Sequence, residues 1–187
     1  MREKTIHTKT EFSGKLLRLE VQNIELEDGT RATREIVRHP GAAAVLALLA
    51  DDQFLLVRQY RKAVEAYSVE IIAGTLDPGE DPESCARREV EEETAHRVTR
   101  LERLGEVVPS PGFLDERIAL FRAVVEPADT DLSMDEDERV ECLEVERGEL
   151  TGMIRRGDIT DSKTLAAWSL HQALQPSALF PEPEGSA

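Results

Sequence analysis

The chain has 187 residues, 40% of them apolar, enough for one substantial domain and a smaller appendage. A formal net charge of −15 at pH 7 excludes non-specific binding to nucleic acid or to anionic membranes, and any polyanionic substrate must be met by local cations, metal or arginine. The two cysteines, Cys85 and Cys142, stand in no CxxC or Cys/His cluster, so neither a zinc site nor a disulfide framework is expected, and a reducing cytoplasm is the natural setting.

The N-terminal MREKTIHTKTE has no apolar signal core, and no apolar run approaches membrane-spanning length. Residues 4–39 are predicted to form three strands, KTIHTKTEF, KLLRLEVQNIEL and TRATREIVRH. The second alternates over Leu17, Leu19 and Val21, then resumes one residue out of step at Ile24 and Leu26, which predicts a bulge near Gln22-Asn23. Asp28-Gly29 suits the hairpin turn into the third strand. A small three-stranded sheet exposes a face unless it packs on something, so residues 1–38 are expected to form a dimerisation or substrate-cap region. His39-Pro40-Gly41 marks the join to a main domain over residues 39–175. There AAAVLALLA and QFLLVRQYR form a hairpin across Asp51-Asp52, their near-continuous apolar runs suggesting strands buried on both faces.

Residues 67–72 read as a short strand that leads through a loop into an acidic helix. Strands follow near 98–108, 117–126 and 139–146, then helices over 147–156 and 161–174, the second capped by Thr160 or Ser162 and packed through Leu165, Ala166, Trp168, Leu170 and Leu174. From Pro176 to Ala187 the tail is rich in Pro, Ser and Glu and is expected to be disordered. Strands on both sides of one helix, with helices at the end, make an α+β or α/β sandwich.

The chemistry concentrates in residues 74–96, GTLDPGEDPESCARREVEEETAH. Asp81 can cap a helix whose first turn accepts Pro82. With Ala86 taken as zero, Val90 lies at about 40°, Glu93 at about −20° and Glu89 at about −60°, whereas Glu92 lies further round at about −120°. Glu93 therefore falls inside the apolar stripe, with Glu89 beside it one turn back. A run of glutamates is ordinarily a solvated face. Two carboxylates at the inner edge of a helix instead repel each other and lose hydration, which a hard divalent ion held by carboxylate oxygens relieves. Raised carboxylate pKa values are the other escape.

The stretch resembles the Nudix box: a glycine, five residues, a glutamate, seven residues, then R-E-apolar-x-E-E-x-G-apolar. Gly74, Glu80, Arg88, Glu89, Val90, Glu92 and Glu93 stand in register, while Ala95 replaces the box glycine and His96 its apolar residue, so a somewhat different helix exit is expected. The resemblance implies an α/β/α sandwich with a mixed sheet, flanked here by the small N-terminal antiparallel sheet, and hydrolysis of a nucleoside diphosphate linked to another group. Glu70-Ile71-Ile72-Ala73-Gly74 resembles the ExPAG segment of ADP-ribose and nucleotide-sugar pyrophosphatases, except that Ile72 stands for proline. Pro111, in Ser110-Pro111-Gly112, lies fifteen residues beyond the box, where that group carries a proline, and Arg58-Gln59-Tyr60-Arg61 resembles its (R)QYR segment.

Together these imply Mg²⁺-dependent hydrolysis of ADP-ribose to AMP and ribose 5-phosphate, with Mn²⁺ as a possible substitute, by a cytoplasmic homodimer. Glu89, Glu93 and Glu92 are the expected ligands, with the Ala73 carbonyl carried over from the family. Arg88 is expected to orient the carboxylates by pairing with Glu80, and Arg61 to clamp phosphate bidentately. Arg58, Glu70, Pro111, Gly112 and Glu116 complete the substrate residues. Related ADP-ribose enzymes draw their general base from a mobile late loop, which points to Glu138, then Glu136, with Glu116 as the next candidate. The rivals are a pyrophosphatase for GDP-mannose or an oxidised nucleotide, and a non-catalytic ADP-ribose sensor. His39 and His96 are read as structural.

Overall fold

In the computed structural model, which describes residues 2–50, 52–128 and 140–174, a small antiparallel sheet comes first. Its strands are β1 (Lys4–Ser13), β2 (Arg18–Glu25) and β3 (Arg31–Arg38), in that order. The bulge expected in β2 is absent. β2 pairs with β3 without interruption from Arg18 to Glu25, and the register shifts fall on β1, around Ile6 and Glu11. Ile24 shares its face with the buried Glu20 and Gln22, so the broken alternation in β2 marks polar residues taken inside. Arg18, Arg38 and Gln22 all donate to the Glu20 carboxylate, which supplies the partners that burial requires.

The main sheet is mixed, as expected. It comprises β4 (Ala42–Ala50), β5 (Gln53–Arg61), β6 (Ala66–Glu70), β7 (Ile72–Thr75), β8 (His96–Val107), β9 (Ile118–Pro127) and β10 (Val140–Glu146). The order is β10-β5-β4-β9-β8, with β4 and β9 parallel. The predicted strand over 67–72 is two strands with a break at Ile71. β4 and β5 pair only over Ala47↔Leu55, Leu48↔Phe54 and Ala50↔Gln53, and then part. Into the fork run β6, paired with Val57–Arg61 of β5, and β7, paired with Ala42–Val45 of β4. The break between β6 and β7 thus sits where two sheet edges diverge.

Helix α1 (Pro82–Thr94) covers one face of this sheet, and α2 (Arg147–Arg156) and α3 (Ser162–Ala173) cover the other, giving the α/β/α sandwich. The α1 face is built from small side chains: Ala43, Ala47, Ala119 and Ala123 of the sheet meet Cys85 and Ala86. That composition brings the helix axis close to the strands. On the opposite face Phe54 meets Trp168 edge-to-face at 5.3 Å. The cap of α3 is Asp161 rather than Thr160 or Ser162: its backbone is extended and its carboxylate accepts the Thr164 N–H at 2.9 Å. The most buried positions of α3 are Lys163, Thr164, Ala167, Trp168 and His171, and Leu174, expected in the packing stripe, is exposed. The Val37 N–H donates to the Phe113 carbonyl and the Asp115 N–H to the Val37 carbonyl, tying the small sheet to the main one.

At the end of α1, Ala95 takes φ 53°, ψ 33°, the left-handed conformation that favours glycine, and its N–H closes on the Glu91 carbonyl. The helix therefore ends in a glycine-type turn despite the alanine. Ala95→Gly should raise stability by up to about 1 kcal/mol in chemical denaturation, the relief of left-handed strain being partly offset by a freer unfolded chain. Ala86→Leu should lower it by about 1–3 kcal/mol by forcing α1 off the sheet.

Candidate active site

The capped start of α1 fixes which side of the helix turns inward. Asp81 accepts the N–H groups of Glu83 and Ser84, and the inner face then presents Cys85, Ala86, Glu89, Val90 and Glu93. Glu93 is 4% exposed and Glu89 9%. Glu89 lies directly on the backbone of Gly74: a Cβ added there would stand 1.7 Å from Glu89 Oε1. Any side chain at position 74 would expel the carboxylate from its place.

Arg88 is the hub of the outer layer. Its Nε and Nη2 meet the two oxygens of Glu80, each at 2.9 Å, while Nη1 reaches Glu89 Oε1 at 2.7 Å and Glu92 Oε2 at 2.9 Å. Nη2 also donates to the Thr75 carbonyl. Glu80 closes the loop by accepting the Asp77 N–H at 3.0 Å. The Arg88 guanidinium holds the Glu80 carboxyl down at about 2, and Glu80 in turn raises Arg88 above its ordinary value. Burial, reinforced by Glu89 and Glu80, pushes the Cys85 thiol up to about 12, which leaves it a packing residue rather than a nucleophile.

A second layer of charge faces the same glycine from the β6–β7 break. Arg61 donates through Nε to Glu70 Oε1 at 2.8 Å and through Nη2 to Glu70 Oε2 at 2.6 Å. Lys163, in the first turn of α3, donates to that Oε2 as well. Burial raises the pKa of Glu70, but Arg61 and Lys163 outweigh it and hold the carboxyl at about 2. Arg61 and Lys163, with Glu70 buried behind them, open on a cleft of ≈ 280 Å³ lined also by Ala73, Gly74, Glu116 and Asp161. The charge of Glu93 also acts on Arg61, raising the guanidinium's affinity for its proton after the larger effect of Glu70.

The structure thus brings Arg61, Ala73 and Glu116 to one cleft, with Glu70 buried behind Arg61, Glu89 against the Gly74 edge and Glu93 one turn further along α1. Glu92 sits further out, drawn to Arg88. Arg58 is not brought there. Three residues from Arg61 on a strand, it points to the opposite face, where it donates to Glu141 and stacks on Tyr67 at 4.3 Å. Pro111 and Gly112 are exposed and do not line the cleft; their turn carries the Phe113 and Asp115 bonds to β3. His39 Nδ1 accepts the Gly41 N–H at 3.1 Å and lies 3.5 Å from Glu116 Oε1. Glu136 and Glu138 lie outside the described residues. The sequence reading missed Lys163 and Asp161. The signal was present: a lysine in the first turn of a helix is badly placed against the helix dipole unless it has a specific partner.

The donor set on α1 suits a hard divalent cation, since Glu89 and Glu93 offer only carboxylate oxygens and Gly74 leaves room for the Glu89 carboxylate. Among the described residues no three His, Cys, Asp or Glu side chains converge as a ready-made ligand group. Among them, too, no helix is long and apolar enough to cross a membrane.

Comparison with known proteins places this geometry. Residues 38–167 match the model of the NUDIX domain. The chain is 44% identical to a methanol dehydrogenase activator of Bacillus methanolicus over 88% of its length and 90% of that protein's. It is 40% identical to an ADP-ribose pyrophosphatase of Bacillus subtilis, covering 94% and 97%. It is 36% identical to a GDP-mannose pyrophosphatase of Cronobacter sakazakii, covering 74% and 80%. A crystal structure of an ADP compounds hydrolase shares the fold, with a TM-score of 0.81 at 20% identity over 92% of this chain and 94% of that one. Nudix hydrolases use divalent metals, which accords with the donor set. The chain belongs to the Nudix family and is a Nudix hydrolase of the ADP-ribose pyrophosphatase-like subgroup.

Proposed function

We propose that the chain hydrolyses the diphosphate of ADP-ribose to AMP and ribose 5-phosphate with Mg²⁺, Mn²⁺ being able to replace it. The observation that carries this reading is the buried Glu89 carboxylate seated on Gly74, which lines the same cleft as the guanidinium of Arg61, with Glu93 buried one turn further along α1. Glu89 and Glu93 would hold the metal, with Glu92 and the Ala73 carbonyl as further ligands. A bound divalent ion supplies Lewis-acid polarisation of phosphate oxygens and a positioned, activated water. Arg88 orients Glu89 and Glu92 from its anchor on Glu80. Arg61 offers its guanidinium to the diphosphate while Glu70 fixes it from behind. Glu138 is the proposed general base, Glu136 the second choice and Glu116, on the cleft wall, the third.

ADP-ribose is favoured because the relative bearing that name covers 94% of the chain, against 74% for the GDP-mannose enzyme. The relative named as a dehydrogenase activator supports a second reading, in which the same hydrolase serves an alcohol dehydrogenase. Adding the chain and its Glu93→Gln variant to purified methanol dehydrogenase separates the two, since only the second reading requires a faster alcohol oxidation. A homodimer is proposed through the N-terminal sheet: all ten residues of β1 are exposed, Ile6 and Phe12 among them, an open edge that invites a partner strand. The two free thiols accord with a cytoplasmic setting.

Phosphate release from ADP-ribose, GDP-mannose and oxidised nucleotides, coupled to phosphatase, should be fastest with ADP-ribose and should vanish in EDTA. Strong metal-dependent activity on another compound would overturn the substrate assignment. Glu93→Gln should nearly abolish turnover at an unchanged melting temperature, and full activity at ordinary Mg²⁺ would refute its role as ligand. Glu80→Gln should cost roughly 10–100-fold through Arg88. Of Glu138→Gln and Glu136→Gln, the one that removes the base should lose about 10²–10⁴-fold in kcat. Light scattering should return twice the chain mass of 20.9 kDa, and Phe12→Asp should shift it to one.

A further inference from the structure

Lys163 occupies an unfavourable position twice over. It stands in the first turn of α3, where the helix dipole opposes a cation, and it is only 9% exposed, so its ammonium has lost most of its water. Two carboxylates compensate: Nζ donates to Asp161 Oδ1 at 2.9 Å and to Glu70 Oε2. Asp161 is also the helix cap, taking the Thr164 N–H and hydroxyl, and the Thr164 Oγ1 accepts the Ile71 N–H at 2.9 Å. One helical turn therefore grips both the side chain of Glu70 and the backbone of the residue after it, at the break between β6 and β7.

Glu70 passes this hold on. Its Oε2 receives Lys163 and Arg61 Nη2 together, while Oε1 receives Arg61 Nε. Arg61 is 41% exposed at the cleft, and its Nη1 has no hydrogen-bond partner among the described residues. The four charges Asp161, Glu70, Arg61 and Lys163 cancel.

We propose that Lys163 is a positioning residue for diphosphate binding: by pinning Glu70 it fixes the Arg61 guanidinium at the cleft with Nη1 left for a phosphate oxygen, and it keeps the group behind Arg61 electrically neutral. Without Lys163, Glu70 would be held only by a side chain that is two-fifths in water and could follow it outward. A net negative charge would then stand behind the clamp, where the charge of Glu93 already acts on Arg61. The inference rests on Arg61 being the phosphate clamp, as proposed above, and not on the base or sugar of the substrate.

The test is a double-mutant cycle on the full chain, read as binding of ADP and of GDP by calorimetry in EDTA, so that neither metal nor turnover enters. Lys163→Met should weaken the better-bound nucleotide roughly tenfold, and Arg61→Met at least as much. The double variant should bind within about twofold of Arg61→Met alone, because Lys163 acts only through Arg61. Wild-type affinity in Lys163→Met, or losses that multiply in the double variant, would overturn the proposal; multiplication would mean that Lys163 contacts the nucleotide itself. Failure of the wild type to bind either nucleotide would overturn it as well. If melting curves show Lys163→Met unfolded, Lys163→Gln, which keeps a donor without the charge, replaces it in the cycle. A chain that shows the coupling yet leaves ADP-ribose intact would refute the substrate reading alone.

Discussion

A helix that carries glutamates on its inner face must be compensated for the water they lose, and much of the structure around α1 is organised by that requirement. Glu89 and Glu93 cannot be moved outward without also turning out Ala86 and Val90, which share their face and lie fully buried. Nor can the helix stand off from the sheet, because the small residues beneath it leave no filling for the gap. Compensation comes instead from the side. Arg88 lies across the outer edge of the carboxylates and is itself braced by Glu80, whose loop is shaped to present it. Gly74 removes the one Cβ that would occupy the carboxylate's place. A divalent cation, as proposed, would complete this arrangement.

The second constraint is the fork between β4 and β5. A continuous hairpin would have sealed the sheet and left α1 facing a closed wall. Because the strands part after three residue pairs, β6 and β7 enter from the side, and the break between them delivers Glu70, Ala73 and Gly74 to the same place. α3, from the opposite layer of the sandwich, then bonds to that break through Lys163 and Thr164. The cleft is therefore built by the fork, whose Ala73 and Gly74 line it, and by Asp161 and Lys163 from the far side, with Glu89 of α1 seated against Gly74 and Glu70 buried behind Arg61.

The acidic inner face of α1 was legible in the sequence because it depends on helical phase, which spacing encodes directly: the inward positions of Glu89 and Glu93 follow from Ala86 and Val90. The fork was not legible, since the run VEIIAGT contains no proline or polar break at Ile71, and only its neighbours' registers divide it into two strands. Arg58 was drawn toward the cleft by a linear motif, although residues three apart on a strand face opposite ways. Lys163 was overlooked because charges near a helix start read as solvated, and its partner Glu70 is distant in sequence. The odd phase of β2 suggested a bulge, whereas the protein buries Glu20 and Gln22 under arginines. At the end of α1, Ala95 suggested an altered exit, but capping demands overrode the side-chain preference.

Charge arithmetic links the two halves of the site. On the α1 side Glu80, Glu89, Glu92 and Glu93 face one cation, Arg88, a surplus of three negative charges when all are ionised. On the other side Glu70 and Asp161 balance Arg61 and Lys163. In a chain of net charge −15, the described residues of the cleft offer no spare positive charge with which to attract a diphosphate from a distance. Its arginines are anchored to carboxylates and act by position, through hydrogen bonds made at short range. A divalent cation held by the α1 carboxylates, as proposed, would add long-range attraction to these short-range contacts. Metal and substrate affinities are then coupled through the protein's own surplus charge, and each should strengthen the other by the same factor.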